Sequence, residues 1–134
     1  MKIRKLHRII GLILLLPFFG WAITGFIFFL KPGYAGAIKS FSECLRLKPD
    51  AAACLAFRGG VHGLNGDMAA SRADFDKALA MDPASHGAVY FMRGMMHAQL
   101  GMKNEAVTDF QAVLKIDPNN AQAKGGLQQL GVQP

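Results

Sequence analysis

The sequence predicts an all-α protein, in which one N-terminal transmembrane helix precedes a short solenoid of helical hairpins with a C-terminal capping helix. Residues 9–30 carry no charged side chain, and residues 59–83 recur at residues 94–118 with an offset of 35. Both copies end in Asp-Pro. A fixed period of this length is typical of stacked helical repeats. We therefore expect a basic tail and membrane helix in residues 1–32 and a repeat domain in residues 33–134.

The positive charge of the chain is concentrated at its start. Lys2, Arg4, Lys5 and Arg8 are four of its 15 Lys and Arg residues, which leaves 11 basic against 9 acidic residues from position 9 onward. No basic stripe with interleaved aromatic residues follows, as a nucleic-acid interface would require. Nucleic acid is therefore not expected as a partner.

The uncharged stretch at residues 9–30 has the length of a membrane span. Its 22 residues would form a helix of about 33 Å, enough to cross the hydrocarbon core. It lacks the polar face that a helix on the surface of a soluble domain needs. Pro17 should kink the helix, which membrane helices tolerate. The lipid bilayer is thus an expected partner of residues 9–30.

Charge density predicts the orientation of this span. Four basic residues crowd the eight positions before it, whereas the basic residues after it are spread over residues 31–48. The denser side is expected to stay in the cytoplasm. We therefore expect a single-pass protein of the bacterial inner membrane, with its N-terminus cytoplasmic and its repeat domain periplasmic or otherwise extracytoplasmic.

A cleaved signal peptide is an alternative interpretation of the same segment. Ala35-Gly36-Ala37 has the small-x-small form of a cleavage site, and cleavage there would leave a secreted domain beginning at Ile38. However, the 22-residue apolar run is longer than the apolar region of about 7–15 residues in a signal peptide. The anchored form is therefore favoured.

Residues 4–34 also carry a specific motif. Its parts are Lys5-Leu6-His7-Arg8, Gly11-Leu12, Leu16-Pro17 and Trp21-Ala22-Ile23-Thr24-Gly25. This order resembles the PepSY-associated transmembrane helix of bacterial membrane proteins. The resemblance implies an inner-membrane span, and as a second functional hypothesis an accessory subunit of a membrane redox or metal-uptake system. His7 is interpreted as an interfacial polar residue, because one histidine with no second ligand on its helix does not hold a haem by itself.

The repeat domain divides into a half repeat, two full repeats and a cap. The half repeat at residues 34–49 should hold one helix, over 34–48, because Pro32-Gly33 ends the preceding span. Each full repeat should form a helical hairpin that turns at a glycine and ends before Pro, which disfavours helix in the residue that precedes it. The expected helices are 51–64 and 68–81 in repeat 50–84, 86–100 and 103–116 in repeat 85–119, and the capping helix 120–130.

Residues at characteristic positions of these hairpins resemble the tetratricopeptide repeat. They are Gly59, Gly66, Phe75, Ala78, Pro83, Tyr90, Gly94, Leu100, Gly101, Ala106, Phe110 and Pro118. Leu55, Asn65 and Ser71 depart from the family pattern and indicate a looser first repeat. The resemblance implies a scaffold that recruits other proteins and is not an enzyme.

The resemblance also implies that the first helix of each hairpin lines a concave groove. Its expected lining is Ala53, Ala56, Gly60, Leu64, Ala88, Phe91, Met95, Ala98 and Gln99. Family members that clamp a peptide's terminal carboxylate use Lys, Arg and Asn on this face, and none is present here. We therefore expect an apolar helix or extended segment as ligand, anchored on Phe91 and Met95. Alternatively, these two side chains pack beneath a neighbouring helix.

Two pairs of charged residues share a spacing that suits a hairpin. Arg58 and Asp74 are 16 positions apart, as are Arg93 and Asp109. Antiparallel helices joined by a short turn bring such positions together, so one ion pair per repeat is predicted. The alternative is a set of exposed charges that contribute little to stability.

The two cysteines lie symmetrically about Pro49. Cys44 and Cys54 are each five residues from it, so a turn there would bring them together as a disulfide, which an extracytoplasmic compartment permits. Alternatively, each fills a position for a small residue between helices. Two thiols fall short of the four ligands of structural zinc. No metal site, cofactor or catalytic constellation is expected elsewhere, and His62 and His97 are interpreted as packing residues.

The array itself is short for a solenoid. About three repeats are usually needed for stability, and this sequence offers two and a half. We therefore expect either the membrane helix or self-association into a homo-oligomer to cover the open end at residues 34–48.

Overall fold

The computed structural model describes residues 33–134, so the membrane span expected at residues 9–30, together with the PepSY-like motif, lies outside the described residues. From residue 33 onward, the regular structure consists of six α-helices and one short 3₁₀ turn at Pro83–Ser85. The helices are α1 (Tyr34–Leu47), α2 (Ala52–Leu64), α3 (Met68–Leu79), α4 (His86–Gln99), α5 (Lys103–Ile116) and α6 (Ala121–Gln129). None of these six combines the length and the hydropathy that crossing a bilayer requires.

The helices pair as antiparallel hairpins that stack into a solenoid. The pairs α2–α3 and α4–α5 form the two most extensive contacts, while α1 packs on α2, α2 on α4, and α6 on α5. Both hairpins turn at a glycine with positive φ, +94° at Gly66 and +74° at Gly101, a conformation that glycine adopts without steric cost. The all-α helical-repeat fold predicted from the sequence is therefore confirmed for the described residues.

Polar side chains cap three of the helical segments. The side chains of Asp67, Asp82 and Asn120 accept hydrogen bonds from the backbone N–H groups of Ala70, Ala84 and Ala123, each 3.0 Å long. Such caps satisfy N–H groups that lack a partner within the helix. Because Asp82 begins a separate 3₁₀ turn, α3 ends at Leu79 and not at the expected residue 81.

The apolar core of the described residues consists of two clusters, of which the first joins the two hairpins and the second joins α5 to the capping helix. The first core cluster comprises Leu55, Ala56, Phe75, Ala78, Val89 and Met96, from α2, α3 and α4. The second core cluster comprises Ala106, Phe110, Val113, Ala123 and Leu127, from α5 and α6. Ala123 and Leu127 of the capping helix are buried, whereas Ala121, which begins this helix, is exposed.

Glycines at equivalent positions allow the helices of each hairpin to approach closely. A Cβ at Gly59 would lie 3.1 Å from the backbone oxygen of Ser71, and one at Gly94 would lie 3.0 Å from the Phe110 ring. Glycine inside a helix costs about 1 kcal/mol relative to alanine. The close approach of the paired helices explains why glycine occurs at the equivalent helical positions 59 and 94 in spite of this cost.

The neighbouring glycines of α6 provide a matched test of this packing. A Cβ at Gly126 would lie 2.7 Å from the Phe110 ring, whereas one at Gly125 would have no atom within 4 Å. We expect Gly125→Ala to raise the free energy of unfolding by about 0.5–1 kcal/mol. Gly126→Ala should lower it by about 1–3 kcal/mol, because the added methyl overpacks the core. Urea unfolding followed by circular dichroism measures both, and equal effects would refute the packing described for α6.

Candidate functional site

An apolar groove runs along the face formed by α2 and α4. It consists of two adjoining depressions. The first depression, of about 290 Å³, is lined by Phe41, Phe57, Gly60, Val61, Leu64, Phe91, Met92, Met95, Met96 and Gln99. The second, of about 330 Å³, is lined by Ala53, Ala56, Phe57, Ser85, Gly87, Ala88, Val89, Phe91, Met92, Val113, Ile116, Asp117, Asn120 and Gln122. Phe57, Phe91 and Met92 line both depressions, which therefore adjoin and are together called the groove below.

The lining of the groove is almost entirely uncharged. Gln99 is the one polar residue of the first depression. The second has a polar end formed by Ser85, Asp117, Asn120 and Gln122, and the Asp117 carboxylate there accepts a hydrogen bond from the backbone N–H of Asn119. Within residues 33–134, no Lys or Arg lines either depression. The groove therefore offers apolar surface and no cation for a carboxylate.

Most of the residues expected from the sequence line this groove. Ala56, Gly60, Leu64, Phe91, Met95 and Gln99 line one or both depressions, together with Ala53 and Ala88. Ala98 does not, and packs against the second core cluster instead. The reason is its register: it follows Gly94 by four residues, on the side of α4 that faces α5.

Phe91 both lines the groove and packs against a neighbouring helix, the two alternatives that the sequence left open. It lines both depressions, and its ring centroid lies 5.8 Å from that of Phe110, which is in the second core cluster. Met95 is more open, with 38% of its surface exposed. Phe91 is thus partly a core residue, and Met95 is the freer of the two.

Phe57 is the bulky groove residue that the sequence reasoning missed. It is 42% exposed and lines both depressions. Its ring stacks on that of Phe41, with centroids 5.4 Å apart and an interplanar angle of 9°. The signal was available, because Phe57 follows Ala53 by four residues and so shares its helix face.

Each hairpin contains a bidentate ion pair between its two helices. The Nε and Nη2 groups of Arg58 donate hydrogen bonds to the two carboxylate oxygens of Asp74, and each bond is 2.7 Å long. Arg93 donates to Asp109 in the same way, with a shortest distance of 2.6 Å from Nη2 to Oδ1. These hydrogen bonds raise the pKa of both guanidinium groups above its usual value. The four side chains lie outside the groove lining and join helix to helix.

The two ion pairs differ in their third member. Nδ1 of His97 lies 2.8 Å from Oδ2 of Asp109, so the buried carboxylate of the second hairpin has two partners. In the first hairpin, Nη1 of Arg58 also donates a hydrogen bond of 3.1 Å to the Ser42 hydroxyl. Ser42 belongs to α1, so this bond reaches beyond the hairpin to the half repeat.

A disulfide joins Cys44 of α1 to Cys54 of α2, with their Cα atoms 6.4 Å apart. These are the only two cysteines of the chain. Across residues 33–134, no three or more His, Cys, Asp or Glu side chains are grouped so that they could hold a metal ion.

Comparisons with known proteins agree with this architecture. Two family models, both described as tetratricopeptide repeat, match residues 33–86 and 87–120. Together they cover about two thirds of the chain. No curated protein matches the chain. Because the matching models begin at residue 33, they lend no support to the PepSY resemblance of residues 4–34.

Solved structures show the same fold. The first tetratricopeptide repeat (TPR) of Spaghetti (RPAP3), bound to the HSP90 peptide SRMEEVD, matches with a TM-score of 0.57 and 24% identity, over 81% of this chain and 85% of that one. The first TPR domain of the human RPAP3 protein, solved by NMR, matches with a TM-score of 0.59 and 24% identity, and the match covers 81% of this chain and 84% of that one. At this identity the likeness concerns the fold. On the two family models and this fold, the chain belongs to the tetratricopeptide repeat family, with its repeats in residues 33–120.

Proposed function

We propose that this chain is a membrane-anchored scaffold whose groove binds an apolar peptide segment of a partner protein. The observation that carries the proposal is the groove itself, in which Phe57, Phe91 and Met92 line two adjoining apolar depressions. Concave apolar surfaces with few polar groups are the usual binding sites of proteins. Proteins of this fold typically act as interaction scaffolds, so binding is favoured over catalysis.

The chemistry of the lining defines the ligand. Two depressions of about 290 and 330 Å³ favour a segment that presents two bulky apolar side chains. The peptide SRMEEVD in the Spaghetti complex is acidic, whereas no Lys or Arg lines this groove. An acidic peptide is therefore not the expected ligand here. Because the groove is small, we expect a transient complex with a Kd of about 10–100 μM.

The anchor and its orientation belong to the same proposal. Residues 9–30 would hold the chain in the bacterial inner membrane with the repeats outside the cytoplasm. The Cys44–Cys54 disulfide supports that orientation, because disulfides persist in oxidising compartments. The partner would then be a periplasmic protein or the periplasmic part of a membrane protein.

The surface of α1 favours a different protein over a second copy of this chain. Its outward side includes the exposed Lys39, Glu43 and Arg46, and Glu43 pairs with Arg46 along the helix. The expected self-association through residues 34–48 would have to cover this charged face. A groove-bound partner therefore accounts better for the exposed apolar area.

A substitution at Phe57 tests the proposal. Phe57 is 42% exposed, so Phe57→Asp should fold and yet place a charge inside the groove. We expect binding to weaken at least about tenfold, since an apolar ligand side chain would have to desolvate that carboxylate. Leu100→Asp is the matched control, because Leu100 is 40% exposed and lines neither depression. It should leave the affinity unchanged.

The probes for this test are N-acetylated, C-amidated peptides with two leucines three, four or seven residues apart in an alanine–glutamine background. Versions with serine in place of leucine serve as negative controls, and SRMEEVD serves as the acidic comparison. Fluorescence anisotropy measures the affinities. The proposal fails if Phe57→Asp binds as the native chain does, or if SRMEEVD binds more tightly than every leucine peptide.

A further inference from the structure

The half-repeat helix α1 packs against α2 at one end of the described solenoid. None of its residues is fully buried. Leu45 is its one side chain that packs against the first core cluster. Its specific ties to α2 include the Phe41–Phe57 ring stack, the Arg58–Ser42 hydrogen bond and the Cys44–Cys54 disulfide. Of these, the disulfide is the one covalent link between α1 and α2 apart from the loop that connects them.

Helix α1 contributes one side chain, that of Phe41, to the wall of the groove. Phe41 of α1 lines the first depression opposite Phe91 and Met95 of α4. It also stacks on Phe57, the residue shared by both depressions. If α1 moved away, the first depression would lose a wall and Phe57 would lose its support. The second depression has no lining residue from α1.

We propose that the Cys44–Cys54 disulfide acts as a redox clamp, which keeps α1 docked as a wall of the first depression and so controls ligand binding there. The proposal rests on the proposed function of the groove. Because the described contacts of α1 bury no residue fully, its position depends on the covalent link. Reduction would leave α1 free to undock, while the two core clusters, which contain no buried residue of α1, stay packed.

The chemistry is thiol–disulfide exchange with a dithiol reductant. A thiolate of the dithiol attacks one cysteine sulfur, the S–S bond breaks, and a mixed disulfide forms while the other cysteine leaves as a thiolate and takes up a proton. The second thiol of the dithiol then displaces the remaining cysteine. The products are two cysteine thiols and one oxidised dithiol. Cys44 and Cys54 are both half-buried, so a small reductant has access to them.

The expected effect follows from the fraction of molecules in which α1 is docked. If reduction leaves α1 docked in about a tenth of the molecules, the apparent affinity for a groove ligand falls about tenfold. The effect should be confined to the first depression. Met95, which lines only that depression, should therefore report it, whereas Met68 and Met102, which line another cavity beside α3 and α5, should not.

The test compares the full chain, oxidised and treated with dithiothreitol, with its Cys44→Ala/Cys54→Ala variant. Amide hydrogen exchange is measured over residues 34–47, with residues 103–116 as the internal control, and the methionine methyl groups are followed by NMR. We expect faster exchange in α1 and a shifted Met95 methyl resonance in both the reduced chain and the variant. Unchanged exchange over residues 34–47 would overturn the clamp.

A binding measurement separates this proposal from the proposed function. The probe is the blocked peptide with two leucines four residues apart. Faster exchange in α1 with about tenfold weaker peptide binding supports the clamp, whereas faster exchange with unchanged affinity refutes its control of the groove. If the peptide binds neither form, the proposed function fails. The clamp is then decided by α1 exchange and the Met95 methyl resonance alone.

Discussion

Replacing Arg93 by alanine is expected to lower the free energy of unfolding by about 3 kcal/mol or more. The Asp109 side chain is only 3% exposed, and Arg93 supplies its bidentate partner. Without the guanidinium, a buried carboxylate would retain a single bond to His97. Breaking a buried ion pair from one side is costly because the remaining charge is poorly solvated. For a domain of this size the melting temperature should fall by more than about 10 °C.

Arg46→Ala is the matched control for this prediction. Arg46 makes the same bidentate contact with Glu43, but the side chains are 67% and 54% exposed. We expect no measurable change in stability, because exposed pairs contribute little. The double variant Arg93→Met/Asp109→Leu should recover much of the stability that Arg93→Ala loses, since apolar residues can replace a buried pair. If Arg93→Ala and Arg46→Ala unfold at the same urea concentration, the stabilising role of the buried pair is refuted.

Phe110→Ala is expected to destabilise the chain by about 3–5 kcal/mol. The ring is 1% exposed and lies between Gly94 of α4 and Gly126 of α6. It also contacts Phe91, a groove residue. Its removal would leave a cavity bordered by two helix backbones, and Gly94 and Gly126 have no side chains that could fill it. The capping helix and the groove should therefore both be affected.

Phe75→Ala provides the comparison within the same chain. Phe75 is equally buried and occupies the equivalent position of the first repeat, against Gly59 of α2. Both substitutions should lower the urea midpoint. Only Phe110→Ala should also increase the rate of amide hydrogen exchange in α6, residues 121–129, under native conditions. Exchange of α6 that is the same in both variants would contradict the role of Phe110 in docking the cap.

Local signals predicted the solenoid well because they recur. The turn glycine, Gly66 or Gly101, and the Asp-Pro pair each appear twice at an offset of 35 residues, and each has a local physical cause. Helix ends were less predictable where two elements meet: the 3₁₀ turn at Pro83–Ser85 shortened the helix expected over residues 68–81. A single Pro can end a helix in several ways, and the sequence pattern does not distinguish among them.

The lining of the groove was harder to predict than the fold. A helix face can be derived from spacing, but the neighbour that covers each position depends on the stacking of the hairpins. Ala98 is predicted to line the groove but packs on the second core cluster. Phe57 is absent from the predicted lining, yet it is the most exposed aromatic residue of the groove. The stack of Phe57 on Phe41 requires α1 and α2 to be placed together, which no local pattern reveals.

The most direct test of the groove is to locate a bound ligand on the full chain by methionine-methyl NMR. The ligand is the blocked peptide with two leucines four residues apart. Met92 and Met95 line the groove, whereas Met68 and Met102 line a different cavity and serve as internal controls. Apolar binding in the groove predicts that the peptide shifts the methyl resonances of Met92 and Met95 and leaves those of Met68 and Met102 in place. Shifts confined to Met68 and Met102 would contradict it.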